Sequence, residues 1–233
     1  MMLRPVLRAT MVVAPPQALI DRGSGVAKQE RAIATREALI TAAGKVFARL
    51  HFESARVADV LEESSVTQGA FYFHFPEGKK QVAEVLIRRQ DEQFIQLRDS
   101  LASSGLDGLS AILALSDALG QALRSDPVAQ AGIRLVTQAS TTFPGIAKLP
   151  DPAWVDAISA FLYQARGEGN LREGVDVPQA SRAIVYMFTG AQMSSFVNDA
   201  WSDLPSALRD IEPFVLRSLA VDDFVPQNRS TQA

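Results

Sequence analysis

VADVLEESSVTQGAFYFHF, residues 57–75, is the stretch on which the reading of this chain turns. Its first part sets Val57, Val60 and Leu61 on one side of a short helix. Ser64-Ser65 make a turn, and Thr67 is placed to cap a second short helix running to about His74. Phe71 and Phe75, four residues apart, form the inward stripe of that helix, with Val60, Leu61 and Phe47 as expected neighbours. The rest of it is too polar and aromatic on one face for an ordinary core helix. Two short helices joined by a three- or four-residue turn make a helix-turn-helix, whose second helix lies in the major groove of DNA.

The groups on that second helix suit the task. Gln68 presents a bidentate amide to an adenine edge, while Tyr72, His74 and Lys79 are candidates to hold phosphates and fix the register. Thr67 adds a hydroxyl, and Gly69 lets the helix start approach the DNA backbone closely. Lys79 and Lys80 open the next helix, where like charge with the helix dipole is unfavourable and an anionic partner brings relief. Taken singly, each has a plainer reading: Tyr72 and His74 as surface hydrogen-bonding groups, Lys79-Lys80 as a solvated pair. Together, behind a basic first helix, they point to DNA.

Outward from this stretch the chain reads as helices. Before it, Ile33, Ile40, Ala43, Phe47 and Leu50 recur at helical spacing from about Gln29 to Leu50. After it, Pro76 and Gly78 precede a long helix from Lys79 to about Ala102. Further helices are expected at about 107–124, 127–140, 151–167, 178–200 and 204–221, separated by Gly105, Pro127, Pro144, Pro150, the turn at 167–170, Pro178 and Pro205. Strand-like alternation is almost absent, so the fold class is all-α. The expected organisation is a disordered arm over 1–28, ending in Gly23-Ser24-Gly25, and a three-helix DNA-binding module over 29–78. A ligand-binding and dimerisation domain over 79–223 and a disordered tail over 224–233 complete it.

The 233 residues are 47% apolar and carry a net charge of −3, with no Cys and two His. That balance alone argues against a nucleic-acid partner. Split at residue 80, however, it becomes +3 in front and −6 behind, a mildly basic module on an acidic body. Without Cys, and with only His51 and His74, there is little with which to build a metal site or a thiol nucleophile, and neither metal nor cofactor is expected. No apolar run is long enough to span a membrane, and a cytoplasmic, nucleoid-associated protein is expected.

VTQGAFYFHF, preceded by a helix ending KVFARL, resembles the DNA-binding signature of the TetR family of transcriptional repressors, over roughly residues 29–90. The resemblance implies that Thr67, Gln68, Gly69, Tyr72, His74 and Lys79 face DNA, with Arg56 and Ala58 bordering the groove. The family pattern usually has Gly where His51 and Ser65 stand, and a Ser/Thr cap where Arg56 stands. Left-handed turn positions accept Gly most easily, so His51 and Ser65 are expected to carry a stability penalty, and Arg56 to exchange a cap for a phosphate contact. PEGKK is one residue longer than the common form, so Lys79 and Lys80 compete for one phosphate-binding role.

The body is similar, more loosely, to the γ-butyrolactone and furan receptors of actinomycete antibiotic control, on DPVAQAGIRLVTQ, PDPAWVDAISAFLYQARGEGNLREGVDV and FTGAQ. That resemblance implies a small-molecule inducer, a double-stranded operator and a homodimer through the last two helices. It also implies a pocket lined by Trp154. Candidate polar groups are Gln90, Gln93, Thr137, Gln138, Tyr163, Thr189 and Gln192; for the glutamines solvent exposure is an even alternative, and for Trp154 a packing role. Leu204, Leu208, Ile211, Val215 and Leu219, with Ala180, Ile184, Phe188, Ala191 and Ser195, are the expected dimer surface, an intramolecular core being the alternative. Two other functions stay open: a ligand-sequestering dimer that binds no DNA, and a lactone-processing enzyme. For the enzyme no nucleophile elbow, phosphate loop or zinc motif is found.

Overall fold

Several helices begin at side-chain caps, and turns rich in Gly and Pro separate them. The computed structural model describes residues 21–138 and 152–227. Among them the order is α1 (Asp21–Arg49), α2 (Val57–Ser64), α3 (Gln68–His74), α4 (Lys79–Ala102), α5 (Gly108–Ser125), α6 (Pro127–Gln138), α7 (Pro152–Gly167), α8 (Val177–Asp199) and α9 (Leu204–Leu219). The all-α expectation holds. Residues 1–20 of the expected arm, Pro144 and Pro150, and tail residues 228–233 lie outside the described residues.

Thr67 caps α3, its hydroxyl accepting from the Ala70 N–H at 3.3 Å, and the carboxylates of Asp107 and Asp176 cap α5 and α8 in the same way. Ser65 closes α2 in the left-handed region at φ 56°, its N–H bonded to the Leu61 carbonyl, so the strain expected there is present. His51 is not left-handed, and the penalty expected of it does not arise. Helix α1 starts at Asp21, ahead of the expected Gln29, and Gly23-Ser24-Gly25 continue the helix rather than ending an arm. Each helical Gly costs only about 1 kcal/mol against Ala, which a long helix absorbs.

Phe47, Val60, Phe71 and Phe75 pack with Leu39, Ile40, Val46, Val82, Leu86 and Ile87 into the front core, each almost fully enclosed. Ala131 and Leu135 of α6 complete that core, although α6 follows α5 of the body in sequence. Two glycines make the close approach possible. A Cβ at Gly132 would lie 2.5 Å from the Gln90 Cβ on α4, and one at Gly44 would lie 3.3 Å from the Val128 side chain. Two further cores occupy the body, one around Phe94, Ile112, Phe161, Leu162 and Val215, the other around Leu123, Trp201, Leu204 and Leu208.

The expected dimer stripes point the wrong way for that purpose. Leu204, Leu208, Val215 and Leu219 are buried within the chain, Ile211 packs beside them, and Ala180, Ile184, Phe188, Ala191 and Ser195 likewise turn inward. The most apolar stripe of a surface helix is claimed first by its own core. The opposite face of α8 carries Ala183, Tyr186, Gly190, Met193 and Val197 at spacings of three and four, all exposed, and α9 adds exposed Phe214.

Candidate functional site

Two places collect the candidate residues. On the front, α3 rests on the core through Phe71 and Phe75, both 0% exposed, and turns the rest of its surface to solvent. Thr67, Gln68 and Gly69 are exposed at its start, Tyr72 is half exposed, and His74 is partly so. The Tyr72 ring stands edge-on to Phe71, with centroids 5.3 Å apart, so its phenol is held by the core while its hydroxyl end stays outside. Arg56 is exposed just before α2, and its backbone N–H donates to the Asp59 carboxylate at 2.7 Å. That carboxylate, from the first turn of α2, supplies a cap contact, and the Arg56 side chain makes none and is exposed.

Lys79 departs from expectation. Its ammonium donates to the carbonyls of Phe52, Glu53 and Ala55 at 2.8, 3.3 and 3.0 Å and lies 4.5 Å from the Phe52 ring centroid. The loop between α1 and α2 has carbonyls that no helix satisfies, and Lys79 supplies all three of its protons to them. It is a clamp on the loop, not a reach toward phosphate. Lys80, exposed beside it, is left for that role.

Other basic side chains of the front and of α4 are paired with carboxylates of the chain itself. Lys45 and Arg49 both bind Glu63, at 3.1 and 3.0 Å, and Arg89 binds Glu37 at 2.6 Å. The hydrogen bonds from Lys45 and Arg49 hold the Glu63 carboxyl below the usual carboxylate range, and that from Arg89 does the same for Glu37. One aromatic that the sequence reading passed over stands out on α3. Phe73 is 78% exposed, with its ring edge-on to His74 at 5.0 Å.

The second place is a cavity of about 230 Å³ between α4, α5 and α6, walled by Gln90, Gln93, Phe94, Leu97, Leu119, Ala122, Asp126, Ala129, Ile133 and Trp154. The Trp154 ring lies flat on Phe94, centroids 4.1 Å apart at 6°, and leans toward Phe188 at 5.9 Å. Beyond it Trp154 and Leu119 also line a smaller space of about 60 Å³, reached by Ile112, Ile158, Phe188 and Ile211, with the carboxylates of Asp117 and Glu212 at its edge. Gln90 is buried against this cavity; Gln93 is exposed and donates to Asp126 at 3.1 Å.

Tyr163 is not brought to either space. It comes nine residues after Trp154 on α7, half a turn round the helix; it is 53% exposed and carries Arg166 beside its ring. Thr189 faces neither cavity, its hydroxyl donating to the Val185 carbonyl at 2.8 Å. Thr137 bonds back in the same way to Ile133 and Arg134, and Gln192 is buried with its carbonyl accepting from the Trp201 indole. The Gln138 side chain lies outside the described residues. Sequence reasoning missed Phe94, four residues after Gln90 and so on the same face of α4, which was the available signal. It also missed Arg134. That guanidinium is 7% exposed, stands 4.7 Å from the Phe196 ring centroid, has no hydrogen-bond partner at Nε, and is pushed down by burial.

Among the described residues no helix is long and apolar enough to cross a membrane, and no group of three metal-ligating side chains occurs. Comparison with known proteins adds four findings. Residues 106–221 match the family of tetracyclin repressor-like C-terminal domains. The chain is 30% identical over 196 residues to the A-factor receptor protein of Streptomyces griseus, covering 84% of this chain and 67% of that protein. In structure it resembles a protein solved to explain control of antibiotic production by bacterial hormones, with a TM-score of 0.72 and 30% identity over 81% of this chain and 99% of that one. It also resembles the TetR family protein CprB of Streptomyces coelicolor in complex with its biological operator sequence, with a TM-score of 0.68 and 25% identity over 82% of this chain and 91% of that one.

Proposed function

The chain belongs to the TetR family of regulators, and from that premise we propose that it is a homodimeric repressor released from its operator by a small molecule of γ-butyrolactone or furan type. The proposed target is a set of antibiotic or other secondary-metabolite genes, in keeping with the A-factor receptor and the hormone-controlled regulator it resembles. The place of action is the cytoplasm, at the nucleoid. The reader is the module over 29–78; the receiver and the dimer contact belong to 79–223.

The observation that carries this reading is a pair of shared helices. Val82, Leu86 and Ile87 of α4 sit in the core under the recognition helix, while Gln90, Gln93 and Phe94 of the same helix wall the cavity. Helix α6 repeats the arrangement, with Ala131 and Leu135 in the front core and Ala129 and Ile133 on the cavity. Whatever fills the cavity therefore pushes on the two helices that hold the reader.

In the DNA-bound dimer the two α3 helices lie in successive major grooves, roughly 34–36 Å apart. Gln68 and Tyr72 approach the bases; His74, Lys80 and Arg56 hold phosphates. The dimer contact is the outer face of α8 with Phe214 of α9, and the two-fold symmetry of such a pair matches a pseudo-palindromic operator. A ligand seated against Trp154 and Gln90 shifts α4 and α6 and spreads the readers. It must bind the released form more tightly, because equal affinity for both forms shifts nothing.

The test is a gel shift on the chain's own upstream region with titrated butyrolactone and furan. Retardation that the ligand reverses is expected. No retardation of any native promoter fragment at low salt overturns the repressor reading in favour of a ligand-sequestering dimer, and turnover of the lactone overturns it in favour of an enzyme.

A further inference from the structure

The fully buried Phe71 and Phe75 fix the inward direction of α3. At about 100° per residue, Phe73 points directly away from that direction, with Gly69 about 40° to one side of the same line one turn earlier. Gly69 leaves the first turn of this crest bare, and a Cβ there would meet nothing within 4 Å. One turn later the crest carries a single large apolar ring, 78% exposed, with only the edge of His74 against it. Phe71 and Phe75 obtain burial from the core, and Phe73 obtains almost none. A ring in that position serves the fold nothing, and on the face that meets DNA it is the part that penetrates furthest.

Phe73 has neither donor nor acceptor, so it reads none of the hydrogen-bonding edges of the major groove. The groove offers one apolar group, the C5 methyl of thymine. We infer that Phe73 is a specificity-determining residue that recognises a thymine methyl in each operator half-site, beside whatever Gln68 and Tyr72 read by hydrogen bonds. The Phe73–His74 contact sets the ring's direction: the imidazole sits lower on the flank, toward the phosphates, and braces the phenyl from one side. This inference rests on α3 being the DNA-facing helix.

The experiment replaces thymine by deoxyuridine, which deletes the methyl and nothing else. Duplexes retained by the full chain are selected from a random pool, and each thymine of the selected half-site is then changed in turn. Binding is measured for the wild-type chain, Phe73→Ala and Phe73→Leu. One position is expected at which deoxyuridine weakens wild-type binding about fourfold per half-site, the gain from burying one methyl group. Phe73→Ala is expected to lose affinity for the thymine duplex and to show no further loss with deoxyuridine at that position. Phe73→Leu retains part of the sensitivity. An unchanged far-UV spectrum and melting temperature for Phe73→Ala, expected of so exposed a residue, exclude a folding defect. If Phe73→Ala keeps the full thymine preference at every position, or loses equal affinity for both duplexes because the ring rests on the sugar-phosphate edge, the inference is overturned and the repressor reading stands. If the wild-type chain retains no duplex from the pool, both fall.

Discussion

The core beneath α3 and the space around Trp154 are made of similar side chains but filled to different degrees. Phe71, Phe75, Phe47 and Leu86 are enclosed to within a per cent or so, whereas Trp154, though stacked face to face on Phe94, borders two cavities, the larger of them shared with Phe94. A filled core is stiff, because any shift of a close-packed side chain forfeits contacts on all sides. A core with space in it has a second arrangement available when something occupies that space. The reader is thus built to move as one piece and the receiver to be rearranged. Helices α4 and α6 belong to both and carry the change across.

The largest effect that breaks this contrast comes from opening a hole in the stiff side. Phe71→Ala is expected to destabilise the chain by about 3–5 kcal/mol, read as a lowered melting temperature with loss of operator retardation whatever the ligand. The matching change on the soft side behaves differently. Trp154→Ala enlarges a space that already exists, so operator binding survives while ligand release weakens by tenfold or more, about the 1.5–3 kcal/mol carried by a large buried apolar group. A gel shift with titrated ligand separates the two. Loss of DNA binding with normal release in Trp154→Ala would remove the cavity assignment.

The neighbouring lysines sharpen the same contrast within the reader. Lys79→Ala removes three hydrogen bonds to loop carbonyls and is expected to lower stability by about 1–3 kcal/mol, seen in denaturant unfolding. Lys80→Ala should leave the unfolding curve unchanged and instead reduce the slope of log affinity against log salt by about two, one phosphate contact for each protomer. A smaller effect is set by pH. The carboxyls of Glu37 and Glu63 are held below their ordinary range in the fold. The stability they contribute is therefore complete above the unfolded carboxylate value and is lost as pH falls through the lower folded values. Melting temperatures between pH 7 and 3 should fall at the acid end, and Glu37→Gln with Glu63→Gln should flatten that fall.

What was legible in the sequence follows periodicity. Phe47, Val60, Phe71 and Phe75 announce the front core because a helix of 3.6 residues per turn has one way to bury them together. The start of α3 is announced by Thr67, and that of α8 by Pro178. Periodicity fails where two partners compete for one helix. The stripe Leu204, Leu208, Ile211, Val215 and Leu219 suits either a second copy or the chain's own interior, and the spacing alone does not distinguish them. It fails too for long side chains. Nothing local to Lys79 says that it curls back upon carbonyls some two dozen positions earlier. Tyr163 looked like a pocket residue because its hydroxyl suits a lactone, but its place on α7 relative to Trp154 already put it on the opposite side. Phe73 went unnoticed among aromatics whose burial seemed the natural expectation.

The part of α6 that lies under the recognition helix has a consequence for the order of events in the cell. Ala131 and Leu135 close the core formed by Leu39, Phe47 and Phe71, so the reader is incomplete while the ribosome has delivered only the amino-terminal third of the polypeptide. Until α6 emerges, the part of α1 that meets it has no cover, and the nascent chain passes through α4 and α5 with that part open to water. The reader is thus completed only after α4, α5 and α6, the helices that also wall the cavity, have been made. For the same reason a chimera that exchanges readers between relatives has to take α6 along with α1 to α4.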